Sequence, residues 1–127
     1  MTRRYADLAA VAAWRELHES CAACWRHWRT TPFLNLQCHH MLSGRFARPD
    51  RLWNLLCLCA SCHERLGHGR ANLAICLTLK IESDSENYDP SAMQEHVKRF
   101  GNEILPEPAE LPAWILEARS RFHIRGA

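Results

Sequence analysis

Two kinds of metal-binding side chain recur at short spacing in the first half of this sequence. The first kind is a pair of Cys-x-x-Cys motifs, Cys21/Cys24 and Cys59/Cys62, with 34 residues between them. Each motif lets two thiolates from one tight turn reach the same tetrahedral ion, and two motifs supply the four ligands of a structural zinc site. The separation exceeds the usual spacing of about 15–20 residues. The sequence therefore predicts a four-cysteine Zn²⁺ site with a segment inserted between its halves.

The second kind is histidine. His39 and His40 stand side by side at the end of an apolar run, and His63 directly follows the second cysteine pair. Neutral imidazoles suit a borderline divalent ion, and a histidine with an ordinary pKa near 6.5 is also a good proton acceptor at neutral pH. Because adjacent strand residues point to opposite sides, His39 and His40 should not both ligate one ion. In a less specific interpretation, His39 or His63 is a fourth zinc ligand or a surface residue.

The remaining cysteines leave some alternatives open. Cys57 shares a strand face with Cys59 and is a rival zinc ligand, as is His27, whereas Cys38 and Cys76 stand among apolar residues and are predicted to be core. Seven cysteines and no secretory leader indicate a reducing compartment, and we expect a cytoplasmic protein. No apolar stretch approaches the ~20 residues of a transmembrane helix, so no membrane association is expected.

The order Cys-x-x-Cys, His-His, Asn, Cys-x-x-Cys-His resembles the HNH endonuclease family over about residues 21–69. The residues that carry the resemblance are Cys21, Cys24, His39, His40, Asn54, Cys59, Cys62 and His63. The resemblance implies a ββα-metal core, in which a two-stranded hairpin and a helix hold one divalent ion. It also implies a nuclease that hydrolyses phosphodiester bonds, mostly in DNA, and that is frequent in phages and mobile elements.

The resemblance implies a role for each of four residues. His39 and His63 would ligate the catalytic cation, which in this setting is Mg²⁺, Mn²⁺, Ni²⁺ or Zn²⁺. His40 would be the general base that activates water, and Asn54 would hold the intervening loop and orient that base. One feature departs from the family pattern. Many relatives have a His or Lys one turn after the last motif histidine, where this sequence has Gly67, with His68 one residue later.

The charge distribution indicates where a polyanion would bind. Residues 1–70 contain ten arginines against five acidic residues, whereas residues 71–127 have a net charge of −3. The arginine fork matches phosphate, so DNA is the expected partner of the first half, with RNA not excluded. The candidate phosphate-binding residues are Arg45, Arg48, Arg51, Arg65, His68 and Arg70.

The elements that must position these residues follow from hydrophobic periodicity. The pattern predicts an α+β, mostly helical fold with strands within residues 30–40 and 51–59. Helices are expected over residues 5–19, 60–67 and 71–83, after Asp89, and from Pro112 onward. We interpret residues 1–127 as a single domain with a nuclease core at about 21–69 and a helical extension at about 70–127.

Two other function classes fit parts of this pattern. A non-catalytic zinc module that binds nucleic acid would use the same four cysteines but would need neither His40 nor Asn54. A protein-interaction module would use the acidic C-terminal helices as its working surface. The other histidines are expected to be ordinary surface residues, namely His18, His27, His96 and His123.

Overall fold

The computed structural model describes residues 7–122 and confirms the α+β, mostly helical fold. A two-stranded antiparallel hairpin is followed at once by a short helix, and further helices flank this unit. The elements in chain order are α1 (Leu8–Glu16), β1 (Leu36–His40), β2 (Leu55–Cys59), α2 (Ala60–Leu66), α3 (Arg70–Ser83), α4 (Pro90–Gly101) and α5 (Ala113–Phe122). None of the described helices is long and apolar enough to cross a membrane.

The hairpin places the two histidines of β1 at its loop end. Leu36 pairs with Cys59 and His40 pairs with Leu55, so residues 41–54 form the loop that connects the two strands. β1 is shorter than its apolar pattern suggests, because Phe33 has a φ of 61° and is fully exposed. A left-handed residue directly after Pro32 interrupts an extended chain. The strand therefore begins only at Leu36.

Both faces of β2 are buried, which explains its unbroken apolar run. Leu56 and Leu58 pack into the main core with side chains from α3, α4 and α5. Leu55 and Cys57 point the other way and pack with Trp14 of α1. Since side chains alternate along a strand, a strand covered on both sides needs apolar residues at every position. Helical elements before and after the hairpin thus enclose it.

A buried ion pair attaches α3 to the N-terminal end of β2. Lys80 is fully buried, and its ammonium donates to the carbonyl oxygens of Leu52 (2.8 Å) and Leu55 (2.7 Å) and to the Asp84 carboxylate. Asp84 also accepts a 2.9 Å hydrogen bond from Trp14 Nε1. The helix favoured for residues 71–83 is confirmed, and its one lysine binds main-chain atoms on both sides of residue 54.

α5 supports the first cysteine turn. Arg119 donates from Nε to the Ala23 carbonyl oxygen (2.7 Å) and from Nη2 to the Ala22 carbonyl oxygen (3.1 Å). The same Nη2 lies 2.7 Å from Glu82 Oε1 of α3. The helices after residue 70 therefore pack onto the same unit as residues 21–69.

Two histidines that are predicted to be surface residues pack against aromatic side chains instead, His18 partly buried and His96 buried. His18 stacks on Trp14 with ring centroids 4.0 Å apart. His96 is only 8% exposed, and its ring lies 4.5 Å from that of Phe100. Neighbouring aromatic rings cover both imidazoles, a relationship that local sequence does not reveal. His27 is half-buried beside Glu19, and His123 lies outside the described residues.

Candidate active site

The four cysteines of the two Cys-x-x-Cys motifs form one buried cluster. Their sulfur atoms all lie within 4.8 Å of one another, and Cys24 Sγ is 3.9 Å from Cys59 Sγ. Zn–S bonds of about 2.3 Å in a tetrahedron would place the sulfurs about 3.8 Å apart. The spacing and the all-sulfur donor set therefore fit a single metal ion. Within residues 7–122 this is the one group of three or more cysteine, histidine or carboxylate ligand atoms gathered this closely.

Local backbone geometry builds the cluster. The first turn is closed by hydrogen bonds from Cys21 N to Arg26 O and from Trp25 N to Cys21 O, both 2.9 Å. Ala22 N donates to Cys57 O (2.8 Å), which brings this turn against the end of β2. The rival ligands lie elsewhere, because the Cys57 side chain faces the α1 side of the hairpin and His27 pairs with an acidic residue. The residues that could hold a metal ion here are Cys21, Cys24, Cys59 and Cys62.

One arginine offsets the negative charge of this cluster. Arg26 Nε lies 3.1 Å from Cys24 Sγ, and its Nη2 lies 3.4 Å from Cys59 Sγ. Hydrogen bonding with the Cys21 thiol lowers the pKa of Cys24 and of Cys59, the latter to about 6. The same network raises the pKa of Cys21 and Cys62. The four sulfurs thus share their protons unequally, and a bound cation would displace those that remain.

A group of histidine side chains lies where β1 meets α2. The His39 ring centroid is 4.8 Å from that of His63 and 5.1 Å from that of His68. His39 is 1% exposed, and its Nδ1 is the one buried side-chain nitrogen or oxygen in residues 7–122 without a hydrogen-bond partner. Burial, followed by the nearby histidines, lowers the pKa of His39 to about 3. A neutral imidazole with a sealed and unsatisfied nitrogen fits the requirements of a metal ligand.

A glutamine holds the second predicted ligand. His63 Nδ1 lies 2.7 Å from Gln37 Oε1, and Gln37 shares a face of β1 with His39. When Nδ1–H donates to this amide oxygen, the lone pair of His63 resides on Nε2 and is available to a cation. Sequence reasoning missed Gln37. Its only signal is a polar side chain two residues before His39 on the predicted strand.

Of the two paired histidines, His63 lines an outer cleft of about 430 Å³, whereas the buried His39 does not. The residues that line the cleft are Gln37, Ala60, His63, Glu64, Gly67 and His68. His68 stands at the rim, where its Nε2 is 3.4 Å from the His40 carbonyl oxygen. The structure thus brings His68 to the same cleft, although it is one residue later than the family pattern has it. His63 and His68 line this open cleft, which leaves room for a phosphate oxygen and water.

His40 points away from this pair and meets a carboxylate. Its Nε2 lies 2.7 Å from Asp50 Oδ1, and Asp50 is only 4% exposed. Burial lowers the pKa of His40, and the opposing hydrogen bond to Asp50 does not outweigh it. The imidazole is therefore neutral at neutral pH and able to accept a proton. Asp50 was not predicted, and its only signal is an isolated acidic residue in a basic, turn-rich segment.

Asn54 fastens both ends of the loop that carries Asp50. The fully buried Asn54 side chain donates from Nδ2 to the carbonyl oxygens of Leu42 and Pro49, both at 2.9 Å. Its Oδ1 accepts a 2.6 Å hydrogen bond from Leu42 N. These contacts are of the kind that the resemblance implies for this residue, and they fix the loop relative to β1.

Three of the predicted phosphate-binding arginines have partners inside the protein. Arg45 pairs with Glu103, and Arg70 Nη1 donates to the Ile104 carbonyl oxygen at 2.8 Å. Arg65 lies over an α5 tryptophan ring, 4.4 Å from its centroid. Each could still face a phosphate, but only by sharing or leaving its present contact.

The other two predicted phosphate-binding arginines have no such partner among the described residues. Arg48 and Arg51 are exposed, and neither side chain forms a hydrogen bond or ion pair with the described part of the chain. Arg48 has a φ of 36° and follows Ala47, which has a φ of 64°. Two consecutive left-handed residues without glycine are strained, and such strain is often found in functional loops. Arg48 lies close enough to His40 to lower its pKa.

Comparisons with known proteins identify no relative. No family model, curated protein or solved structure matches the chain. The resemblance to the HNH family therefore rests on the motif residues and on their arrangement around the hairpin.

Proposed function

We propose that this chain is a metal-dependent endonuclease of the HNH type that hydrolyses phosphodiester bonds in DNA. The observation that carries the proposal is the pairing of His39 with His63 beside an open cleft, with His39 Nδ1 sealed and unpartnered. A second supporting observation is that the adjacent His40 faces a different partner, the Asp50 carboxylate, while burial lowers the pKa of its imidazole. A zinc module that only binds nucleic acid requires neither feature.

His39 and His63 would hold the catalytic cation, and Gln37 would orient His63. Mg²⁺, Mn²⁺, Ni²⁺ and Zn²⁺ are the candidate ions. A divalent cation in this position would polarise the scissile phosphate and offset charge on the leaving oxygen. His68 stands close enough to add a contact to the phosphate from the rim of the cleft.

His40 would take the proton from the attacking water. A positioned base contributes roughly 10²–10⁴ in rate when its pKa lies near the working pH. Asn54 would preserve the geometry of this step through its three hydrogen bonds to the loop backbone. Arg48 would meet a neighbouring phosphate on the side of the base.

The four-cysteine cluster would hold one structural Zn²⁺ ion. Thiolates this close together suit a single tetrahedral ion, for which zinc is the usual choice. The ion would tie the first cysteine turn to the junction of β2 and α2, only a few residues from His63. All seven cysteines are free thiols, which agrees with activity in a reducing cytoplasm, in a bacterium or a phage-infected host.

Plasmid cleavage tests the proposal and separates it from its rivals. Purified protein is incubated with supercoiled plasmid and each of the four cations, with EDTA and the His40→Ala variant as controls. We expect cation-dependent nicking that is greatly reduced in the variant. Retardation of the DNA without nicking would favour the non-catalytic zinc module. The absence of both nicking and retardation would contradict DNA as the substrate. A parallel incubation with structured RNA tests the alternative nucleic acid.

A further inference from the structure

Asp50 and His40 form a hydrogen-bonded pair on the loop side of β1. The Asp50 carboxylate is almost fully buried and approaches His40 through one oxygen, Oδ1, at 2.7 Å from Nε2. A deprotonated carboxylate can only accept a hydrogen bond, so His40 must donate from Nε2–H. This contact selects one tautomer of the neutral ring and leaves the lone pair on Nδ1.

The Nδ1 atom of His40 is accessible to water. It forms no hydrogen bond with the described residues, and it is not among their sealed polar atoms. The side chain of His40 keeps 14% of its surface exposed. The proton-accepting atom is therefore not sealed by the described part of the chain, while the opposite ring nitrogen is bound to Asp50.

The carboxylate is itself held in place from two directions. Asp50 Oδ2 accepts a 2.9 Å hydrogen bond from the Asp7 backbone amide at the start of α1. The loop preceding Asp50 is fixed by hydrogen bonds from Asn54 to Leu42 and Pro49. Asp50 is therefore a fixed acceptor, and its position determines that of the imidazole.

We propose that Asp50 is a positioning residue, which holds His40 through Nε2–H and aims Nδ1 at the attacking water. This inference rests on the proposed nuclease function. Water gives its proton to Nδ1, its oxygen forms a bond to phosphorus, and the bond to the leaving oxygen breaks, with that oxygen taking a proton from solvent. Asp50 stays deprotonated and stabilises the imidazolium that results.

Nuclear magnetic resonance on ¹⁵N-labelled protein tests the contact without requiring activity. We expect a downfield Nε2–H signal, assigned to His40 by its loss in His40→Ala, that exchanges slowly with water. The signal should vanish in Asp50→Ala and return in Asp50→Glu. Should Asp50→Ala fail to fold, Asp50→Asn keeps the size of the side chain, and the signal should then exchange faster. A wild-type protein without this signal would overturn the inference.

A double-mutant cycle separates positioning from structural support. In Asp50→Ala, kcat should fall by roughly 10–10³, less than in His40→Ala, with KM and cation affinity unchanged. Adding Asp50→Ala to His40→Ala should cause no further loss, because Asp50 acts only through that ring. A further loss in the double variant would overturn the inference. Absence of cleavage by wild type would instead overturn the nuclease proposal, and the resonance experiment would still decide whether Asp50 holds His40.

Discussion

Gln37 Oε1 accepts a hydrogen bond from His63 Nδ1 at 2.7 Å, which links the face of β1 that bears His39 to the first turn of α2. The hairpin and the helix thus approach each other through a polar contact directly at the candidate metal centre. Outer hydrogen bonds of this kind fix the tautomer and the ring direction of a histidine ligand. A ligand without such support must be ordered at the moment the cation binds.

Gln37→Leu should therefore weaken binding of the catalytic cation by roughly 10–100-fold, the usual effect of removing such support. Gln37→Glu should retain most of the affinity, because its carboxylate can still accept from Nδ1–H. Titration calorimetry with Mn²⁺ on protein already loaded with zinc measures both variants. Equal affinity in Gln37→Leu and wild type would exclude His63 as a ligand held in this way.

The structural zinc prediction has a matched control on the same strand. Cys59→Ala should remove one ligand of the cluster, whereas Cys57→Ala removes a thiol that packs with Trp14 and lies outside the cluster. We expect metal analysis to find about one tightly held zinc per chain in wild type and Cys57→Ala, and much less in Cys59→Ala. Cys59→Ala should also lose cooperative thermal unfolding, because zinc binding contributes directly to folding. Tight zinc retention by Cys59→Ala would contradict the site.

DNA affinity should depend most on the two arginines without internal partners. Arg48→Ala and Arg51→Ala should each weaken binding and reduce the salt slope by about one, as expected for the loss of one phosphate contact. Arg99→Ala, in the acidic half, is the control and should leave both quantities unchanged. Fluorescence anisotropy with a labelled duplex at several salt concentrations measures the slopes. A larger effect of Arg99→Ala would place the DNA on the other half of the molecule.

The buried Lys80–Asp84 pair should make stability depend on pH in acid. Burial raises the pKa of Asp84, but hydrogen bonds from Lys80 and Trp14 outweigh it and hold that pKa below its ordinary value. A lowered carboxyl pKa stabilises the fold above the unfolded pKa of about 3.9, and this contribution is lost as the pH falls through the folded pKa.

Asp84→Asn should thus cost about 3–5 kcal/mol at neutral pH, where it leaves the lysine charge buried and uncompensated. The difference in free energy of unfolding from wild type should narrow below about pH 4, once wild-type Asp84 also takes up a proton. Urea denaturation across that range measures the difference. A gap that does not change with pH would show that the carboxylate charge contributes nothing.

Sequence reasoning succeeded where the information is local. The Cys-x-x-Cys turns and the helix at residues 71–83 depend on spacing within a few residues, and both have the expected form. The strand β1 is shorter than predicted, because Phe33 takes a left-handed conformation that an alternating apolar pattern does not reveal. Strand boundaries depend on single backbone dihedrals, to which hydrophobic periodicity is insensitive.

The residues that sequence reasoning missed are polar partners supplied by distant parts of the chain. Gln37 meets His63 from 26 positions away, and Asp50 meets His40 across a loop. Lys80 reaches β2 from 25 positions further on. Such partners are common residue types without a motif, and only the packed structure determines which of them lies within hydrogen-bond distance.

The central claim is that His40 is the base while His39 and His63 hold the cation. The most direct measurement is the single-turnover nicking rate of His40→Ala and His63→Ala, each over a series of Mn²⁺ concentrations. We predict that His40→Ala is slower by roughly 10²–10⁴ at every concentration, and that His63→Ala recovers part of its rate as the cation increases. The claim would be contradicted if added Mn²⁺ restored the nicking rate of His40→Ala, or if both variants nicked DNA at the wild-type rate.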